Sequence, residues 1–225
     1  MDTCEGSANA LRGHASVDRR AFDATAQALA DALCGNDAQI CLHLVRLLAE
    51  GHPIPRERLA AALDLPADEV ETLLARVPDA VFDHQGNVIA YGLSLTPTSH
   101  RFRVNGRDLY TWCALDALMY PVALGQRAEV TSRCPVSAAT VRLTITPETI
   151  ERVDPGTAVV SIVMPASAAA CCNVRDAFCR HVHFLRGPEE ATAWQAAHPE
   201  ARLLPVHDAH ALARLLAQRR YCAAS

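Results

Sequence analysis

Apolar residues are spaced for helices in the first third of the chain and mainly for strands after it. Ile40, Leu44, Leu47 and Leu48 fall at i, i+4, i+7 and i+8, one helix face, which Gly51 and Pro53 terminate. Leu59 and Leu63 mark a second, short helix. Pro66 opens a third, with Asp68 and Glu69 near its positive dipole end and Val70, Leu73, Leu74 and Val77 on its apolar side. Two apolar pieces around Gly86, within Val81 to Ile89, predict a hairpin. Three short helices and a hairpin are the layout of a winged helix-turn-helix, with a recognition helix at Ala67 to Arg76 in a DNA-binding version. Asp68, Glu69 and Glu71 against a single Arg76 repel phosphate, which favours a scaffold module over a DNA reader.

From residue 99 the pattern changes. Arg101 to Val104 alternates, and Asn105-Gly106 signals a turn. Leu109 to Met119 predicts a short helix stopped by Pro121. Strands are expected at Ala128–Ser132, Val141–Thr146, Ala158–Met164 and Phe178–Leu185, separated by Pro147, Pro155-Gly156 and Pro165. Ala166 to Asn173 predicts a mobile loop, Glu189 to His198 a helix, Leu203 to Val206 a last strand, and Asp208 to Tyr221 a closing helix capped by Asp208. The expected fold class is α+β: a flexible extension over 1–24, a winged-helix-like module over 25–97, and a domain over 98–225 with a mixed or antiparallel sheet and flanking helices.

Composition narrows the function classes. Half of the 225 residues are hydrophobic, enough for a sizeable core, and the formal net charge of -4 gives no whole-chain signal of nucleic-acid binding. All basic side chains are Arg or His, with no Lys. No apolar run approaches the roughly 20 residues that span a bilayer, and Met1 to Arg20 lacks the apolar stretch of a secretory signal. A cytoplasmic protein with reduced thiols is therefore expected, without a membrane partner. Against that expectation nine cysteines are many: Cys4, Cys34, Cys41, Cys113, Cys134, Cys171, Cys172, Cys179 and Cys222. An odd count argues against a disulfide framework, and the absence of any CxxC pair argues against a zinc ribbon or a thioredoxin-type site.

Two clusters carry candidate chemistry. In Tyr110-Thr111-Trp112-Cys113-Ala114-Leu115-Asp116, Cys113 and Asp116 at i and i+3 share a helix face, and a helix N-terminus favours a thiolate at Cys113. A carboxylate raises the pKa of a neighbouring thiol, so the pair makes sense where the carboxylate moves a proton and the sulfur takes a cation. On a strand, Cys179, His181 and His183 of Phe178-Cys179-Arg180-His181-Val182-His183-Phe184 would share one face. That placement suits either a zinc site or a sheet face with core histidines.

The same two runs resemble the signature segments of the alkylmercury lyase family. Asp83 to Leu93 resembles that family's hairpin, and Arg133-Cys134-Pro135 the segment holding its third recurrent cysteine. The likeness covers roughly residues 38 to 216, with the motifs in the family's order. It implies catalytic cysteines at Cys113 and Cys179, a catalytic aspartate at Asp116 and a structural cysteine at Cys134. It implies that the same three catalytic residues hold mercury as substrate and product. Some members carry a second cysteine where this chain has Arg180, and Cys171-Cys172 matches no role in the family. The implied reaction is protonolysis of a carbon–mercury bond to a hydrocarbon and Hg(II), a mercury-detoxification step. It needs no cofactor beyond an external low-molecular-weight thiol, uses organomercurials as substrates, and passes Hg(II) to mercuric reductase. The winged-helix part would not serve DNA. A thiol-based metal or redox sensor with a DNA-binding winged helix, and a zinc hydrolase built on Cys179, His181 and His183, are the competing readings.

Overall fold

The structure is a computed structural model that describes residues 19–33, 38–77, 79–164 and 173–222. Four helices open the chain: α1 (Arg19–Leu33), α2 (Ala38–Leu48), α3 (Arg56–Leu63) and α4 (Ala67–Leu74). Helix α1 begins inside the stretch expected to be a flexible tail, so residues 19–24 are helical. Ala26 and Leu29 on that helix are fully buried, which explains why it forms. Strands β1 (Val81–Phe82) and β2 (Val88–Tyr91) make the expected hairpin. Gly86 turns it at φ 82°, and the Asp83 carboxylate accepts the backbone N–H groups of Gln85 and Asn87, each at 2.9 Å.

The hairpin continues into the rest of the molecule. Strands β3 (Leu93–Ser94), β4 (His100–Val104), β5 (Arg107–Thr111), β6 (Ala128–Arg133), β7 (Thr140–Ile145) and β8 (Ile150–Asp154) join it in one eight-stranded sheet of order β1-β2-β3-β5-β4-β6-β7-β8. Its pairings are antiparallel, and β6 alternates buried and exposed residues along its whole length, as one covered face requires. A smaller antiparallel sheet places β9 (Val159–Ile162) between β10 (Phe184–Leu185) and β11 (Arg202–Pro205).

Helix α5 (Ala114–Leu124) is apolar on nearly every side and lies in the core, packed on α8 (Val206–Ala217), which leads into a π-helical turn at Gln218–Cys222. The expected helix at Leu109–Met119 is thus a strand up to Thr111 followed by a helix from Ala114. Pro121 lies inside α5 rather than stopping it. Burial holds the helix through the one hydrogen bond the proline lacks, and it ends at Gly125 with φ 66°. Pro205, not Asp208, precedes α8, and no side chain caps it.

The largest departure concerns Phe178–Leu185. Only Phe184–Leu185 is a strand. Before it come a one-turn helix, α6 (Val174–Ala177), and a 3₁₀ turn at Cys179–His181. Asn173 accepts the Asp176 N–H at 3.2 Å and so caps α6, using a local side-chain bond that an alternation pattern does not register. The rest of the expected mobile loop, including Cys171 and Cys172, lies outside the described residues. Helix α7 (Pro188–Ala197) matches expectation. No described helix is long and apolar enough to cross a membrane.

Candidate active site

Cys113 is the N-cap of α5. Its backbone is extended (φ -146°, ψ 173°), and its Sγ accepts the Asp116 N–H at 3.4 Å. A cysteine thus takes the place usually held by Ser, Thr, Asp or Asn, with Asp116 three residues on. The strand before it is fixed by Thr111 Oγ1, which donates to the Cys113 carbonyl at 3.0 Å, and by the Trp112 N–H, which donates to the Gly92 carbonyl at 2.9 Å.

The second segment reaches the same point from the other side. Ala114 N–H donates to the Val182 carbonyl at 3.0 Å, tying the start of α5 to the turn that carries Cys179. Ser161 on β9 fixes that turn from behind: its Oγ donates to the His181 carbonyl at 2.8 Å and accepts the His183 N–H at 3.0 Å. Asp79 accepts the Val174 N–H at 3.0 Å and holds the start of α6. As a result the Cys113 and Cys179 sulfurs and an Asp116 carboxylate oxygen all lie within 4.8 Å of one another. Cys179 Sγ is 3.9 Å from Asp116 Oδ2. Both thiols are buried and Asp116 is half-buried.

Burial sets the protonation states. It pushes the Cys113 thiol well above its ordinary pKa, helped by the Cys179 sulfur and the Asp116 charge. The expected thiolate at the helix N-terminus is therefore not the resting form, because the Asp116 N–H acts against burial and is outweighed. At Cys179 the hydrogen bond with Cys113 favours the thiolate, but burial and the Asp116 and Asp79 carboxylates together move the thiol upward. Burial also raises Asp116 to about 6, against the hydrogen bond from Cys113, the Arg220 charge and the Tyr120 hydroxyl. Two thiols held in the protonated form thus lie beside a carboxyl that burial raises to about 6, groups able to bind a soft cation and to move a proton.

The histidines do not join it. Because Cys179–His181 is a 3₁₀ turn and not a strand, Cys179, His181 and His183 do not share a face. His183 Nε2–H donates to the Arg180 carbonyl at 2.7 Å and its ring packs against Trp194, while His181 packs against His198. Among the described residues, only Cys113, Asp116 and Cys179 gather as a candidate metal-ligand group. Four residues around the site escaped the sequence reading: Tyr120, Gly92, Tyr91 and Arg220. Tyr91 and Gly92 lie in the Asp83–Leu93 likeness, which implies no role for them, and Tyr120 carries a spacing signal, four residues after Asp116 on one helix face.

Cys134 lies apart, in a small core with Leu185 and Ala191. Burial disfavours its thiolate, but hydrogen bonds from the Ser137 hydroxyl and the backbone N–H groups of Ser137, Arg186 and Val136 more than offset this and leave its pKa lowered. These bonds staple the turn after β6 to the end of β10. Cys134→Ala should lower stability by about 1–2 kcal/mol while leaving the chemistry at Cys113 and Cys179 intact. Thermal unfolding and a single-turnover assay of the same sample check the two halves of this expectation.

The chain is thus of the α+β class, with a winged-helix-like front and a candidate metal-ligand group of two buried thiols and one half-buried carboxyl. Comparison with known proteins places it more closely. The profile of the family described as alkylmercury lyase matches residues 93–218, and that of the helix-turn-helix domain of alkylmercury lyase matches residues 23–92. An alkylmercury lyase of Staphylococcus epidermidis is 47% identical over 176 residues, 78% of this chain and 80% of that protein. One of Pseudomonas putida is 42% identical over 182 residues, 81% of this chain and 84% of that protein. A crystal structure titled as the mercury-bound form of MerB2 superposes with a TM-score of 0.71 at 19% identity, covering 88% of this chain and 98% of that one, and so shares the fold. The chain belongs to the alkylmercury lyase family and is an enzyme.

Proposed function

We propose that this enzyme cleaves the carbon–mercury bond of organomercurials by protonolysis, with Cys113 and Cys179 as mercury ligands and Asp116 as the proton carrier. The observation that carries the reading is the convergence of two buried sulfurs and one carboxylate within 4.8 Å. Mercury is soft and prefers sulfur to oxygen or nitrogen donors. One thiol displaces the substrate's thiolate or halide, which leaves with the thiol proton, and the metal becomes bound to carbon and one sulfur. The second thiol gives its proton to Asp116 as its sulfur approaches the metal. The added sulfur electron density makes the carbon more basic. Asp116 then delivers the proton to carbon, the carbon–mercury electron pair forms the new C–H bond, and Hg(II) stays on the two sulfurs.

The protonation states fit this sequence. Raised to about 6, Asp116 is a stronger base than an ordinary carboxylate, and mercury on the sulfur makes the thiol proton more acidic, so the transfer from thiol to carboxyl is eased from both sides. Its negative charge, which raises both thiols, is removed when it takes the proton, so the thiolate forms beside a neutral acid. No cofactor is involved. External low-molecular-weight thiols would remove Hg(II) and hand it on to mercuric reductase, and the reaction would take place in the cytoplasm, where such thiols are plentiful. Incubating the protein with phenylmercury acetate and excess thiol should yield benzene; recovery of phenylmercury alone would exclude the reaction.

The winged-helix part serves as scaffold in this reading. Asp68, Glu69 and Glu71 are all exposed on α4, the helix that would enter the major groove. The protein should therefore show no specific duplex binding at physiological salt. Footprinting on DNA upstream of its own gene checks this, and nanomolar protection there would restore a sensor role.

A further inference from the structure

The side chains around Asp116 form a second layer that the two-thiol chemistry does not use. Cys113, Asp116 and Tyr120 lie at i, i+3 and i+7, one stripe of α5. Tyr120 is buried one helical turn after Asp116, and its hydroxyl is among the groups that favour the ionised Asp116 carboxyl. A buried hydroxyl is costly without a partner, so packing alone would be served better by Phe. The space for that hydroxyl is kept open by Gly92. The residue has φ 64°, and a Cβ there would overlap Tyr120 Oη. Behind it, Arg220 in the C-terminal turn donates from Nη2 to Tyr91 Oη at 3.3 Å, and Tyr91 Oη also meets Cys41 Sγ at 2.9 Å. The Arg220 charge acts on both Asp116 and Cys179. Helix α5 thus carries Tyr120 beside this carboxyl, and the C-terminal turn adds the Arg220 charge, itself tied to Tyr91 on β2.

We infer that Tyr120 is a positioning residue for Asp116, donating a hydrogen bond that holds the carboxyl toward the two sulfurs, with the Arg220 charge acting on the same carboxyl. The inference rests on the proposed role of Asp116 as proton carrier. A carboxyl has two oxygens and a freely turning end. A hydroxyl holding one side of the carboxyl would leave the other for Cys179, whose sulfur lies 3.9 Å from Oδ2. Restricting a reacting group to its productive orientation speeds the step without altering substrate binding.

The test is a double-mutant cycle read by single-turnover benzene release from phenylmercury, with mercury retention and thermal midpoint measured on the same samples. Tyr120→Phe keeps the ring in place. It should slow release about tenfold, the scale of losing one hydrogen bond to a charged group, with mercury retention and KM unchanged. In the Asp116→Asn background the same change should have no further effect, because Tyr120 acts through the carboxyl. Arg220→Gln should also slow release, and Arg220→Lys should recover part of the loss. A Tyr120→Phe rate within twofold of the parent overturns the inference, as does an equal tenfold loss in the Asp116→Asn background. Full release by Asp116→Asn alone would overturn the underlying proton-carrier role instead, so the two failures are distinguishable.

Discussion

Cys113→Ser and Cys179→Ser are each expected to lower turnover of an organomercurial by about three orders of magnitude or more, the scale on which removing one member of a concerted set disables the whole. A hydroxyl is a hard, weak ligand for mercury and does not replace sulfur. Unfolding can be separated from this loss at Cys113. That residue is the N-cap of α5, and serine caps a helix at least as well as any residue does. Cys113→Ser should therefore keep or slightly raise its thermal midpoint while losing activity. Cys179→Ser places a hydroxyl at a buried position and should cost some stability as well. Turnover assays of both variants, with circular dichroism melts, check the expectation; near-parental turnover by either one rules out the two-sulfur mechanism.

The parts of the fold written in a simple period were legible. The helix face through Ile40, Leu44 and Leu48, the turn at Gly86, and the strands at Ala128 and Val141 follow from spacing, because each buries a regular set of positions. Structure set by burial on all sides was not. Helix α5 has almost no polar face, so Leu109 to Met119 offered no boundary between strand and helix, and Pro121 looked like a stop. Phe178 to Leu185 alternates in sequence, yet the helix α6 that Asn173 caps leads into it, and Ser161 on β9 bonds across to hold it as a 3₁₀ turn.

That difference mattered most at the site. Spacing placed Cys113 beside Asp116, and the structure does bring them together. Cys179 joins them because its segment is a turn; on the expected strand, His181 and His183 would have come with it. The neighbouring Tyr91 and Gly92, which lie in the hairpin segment Asp83–Leu93, and Arg220 near the other end of the chain share no spacing with the two site motifs, so only the folded arrangement brings them into view.

Asp116→Asn is expected to separate binding from cleavage. Asn keeps the shape of the carboxyl but neither accepts nor delivers the proton. Mercury should remain bound through Cys113 and Cys179, while benzene release from phenylmercury slows by about two to four orders of magnitude, the usual scale for losing a general acid–base. The same variant should gain stability near neutral pH. Burial holds the folded Asp116 proton more tightly than the unfolded chain does, raising its pKa from 3.8 to about 6. Ionising it at pH 7 therefore costs the folded state on the order of 1–3 kcal/mol. That cost is absent below about pH 4, where the carboxyl is protonated in both states, and grows as pH rises to and through 6. Asn carries no such cost, so its advantage over the parent should open across that window and close again in acid. Urea unfolding at pH 4 and pH 7.5, run beside single-turnover assays, measures both effects. Equal stability at both pH values would mean that Asp116 is well solvated, and rapid benzene release by the Asn variant would remove it from the mechanism.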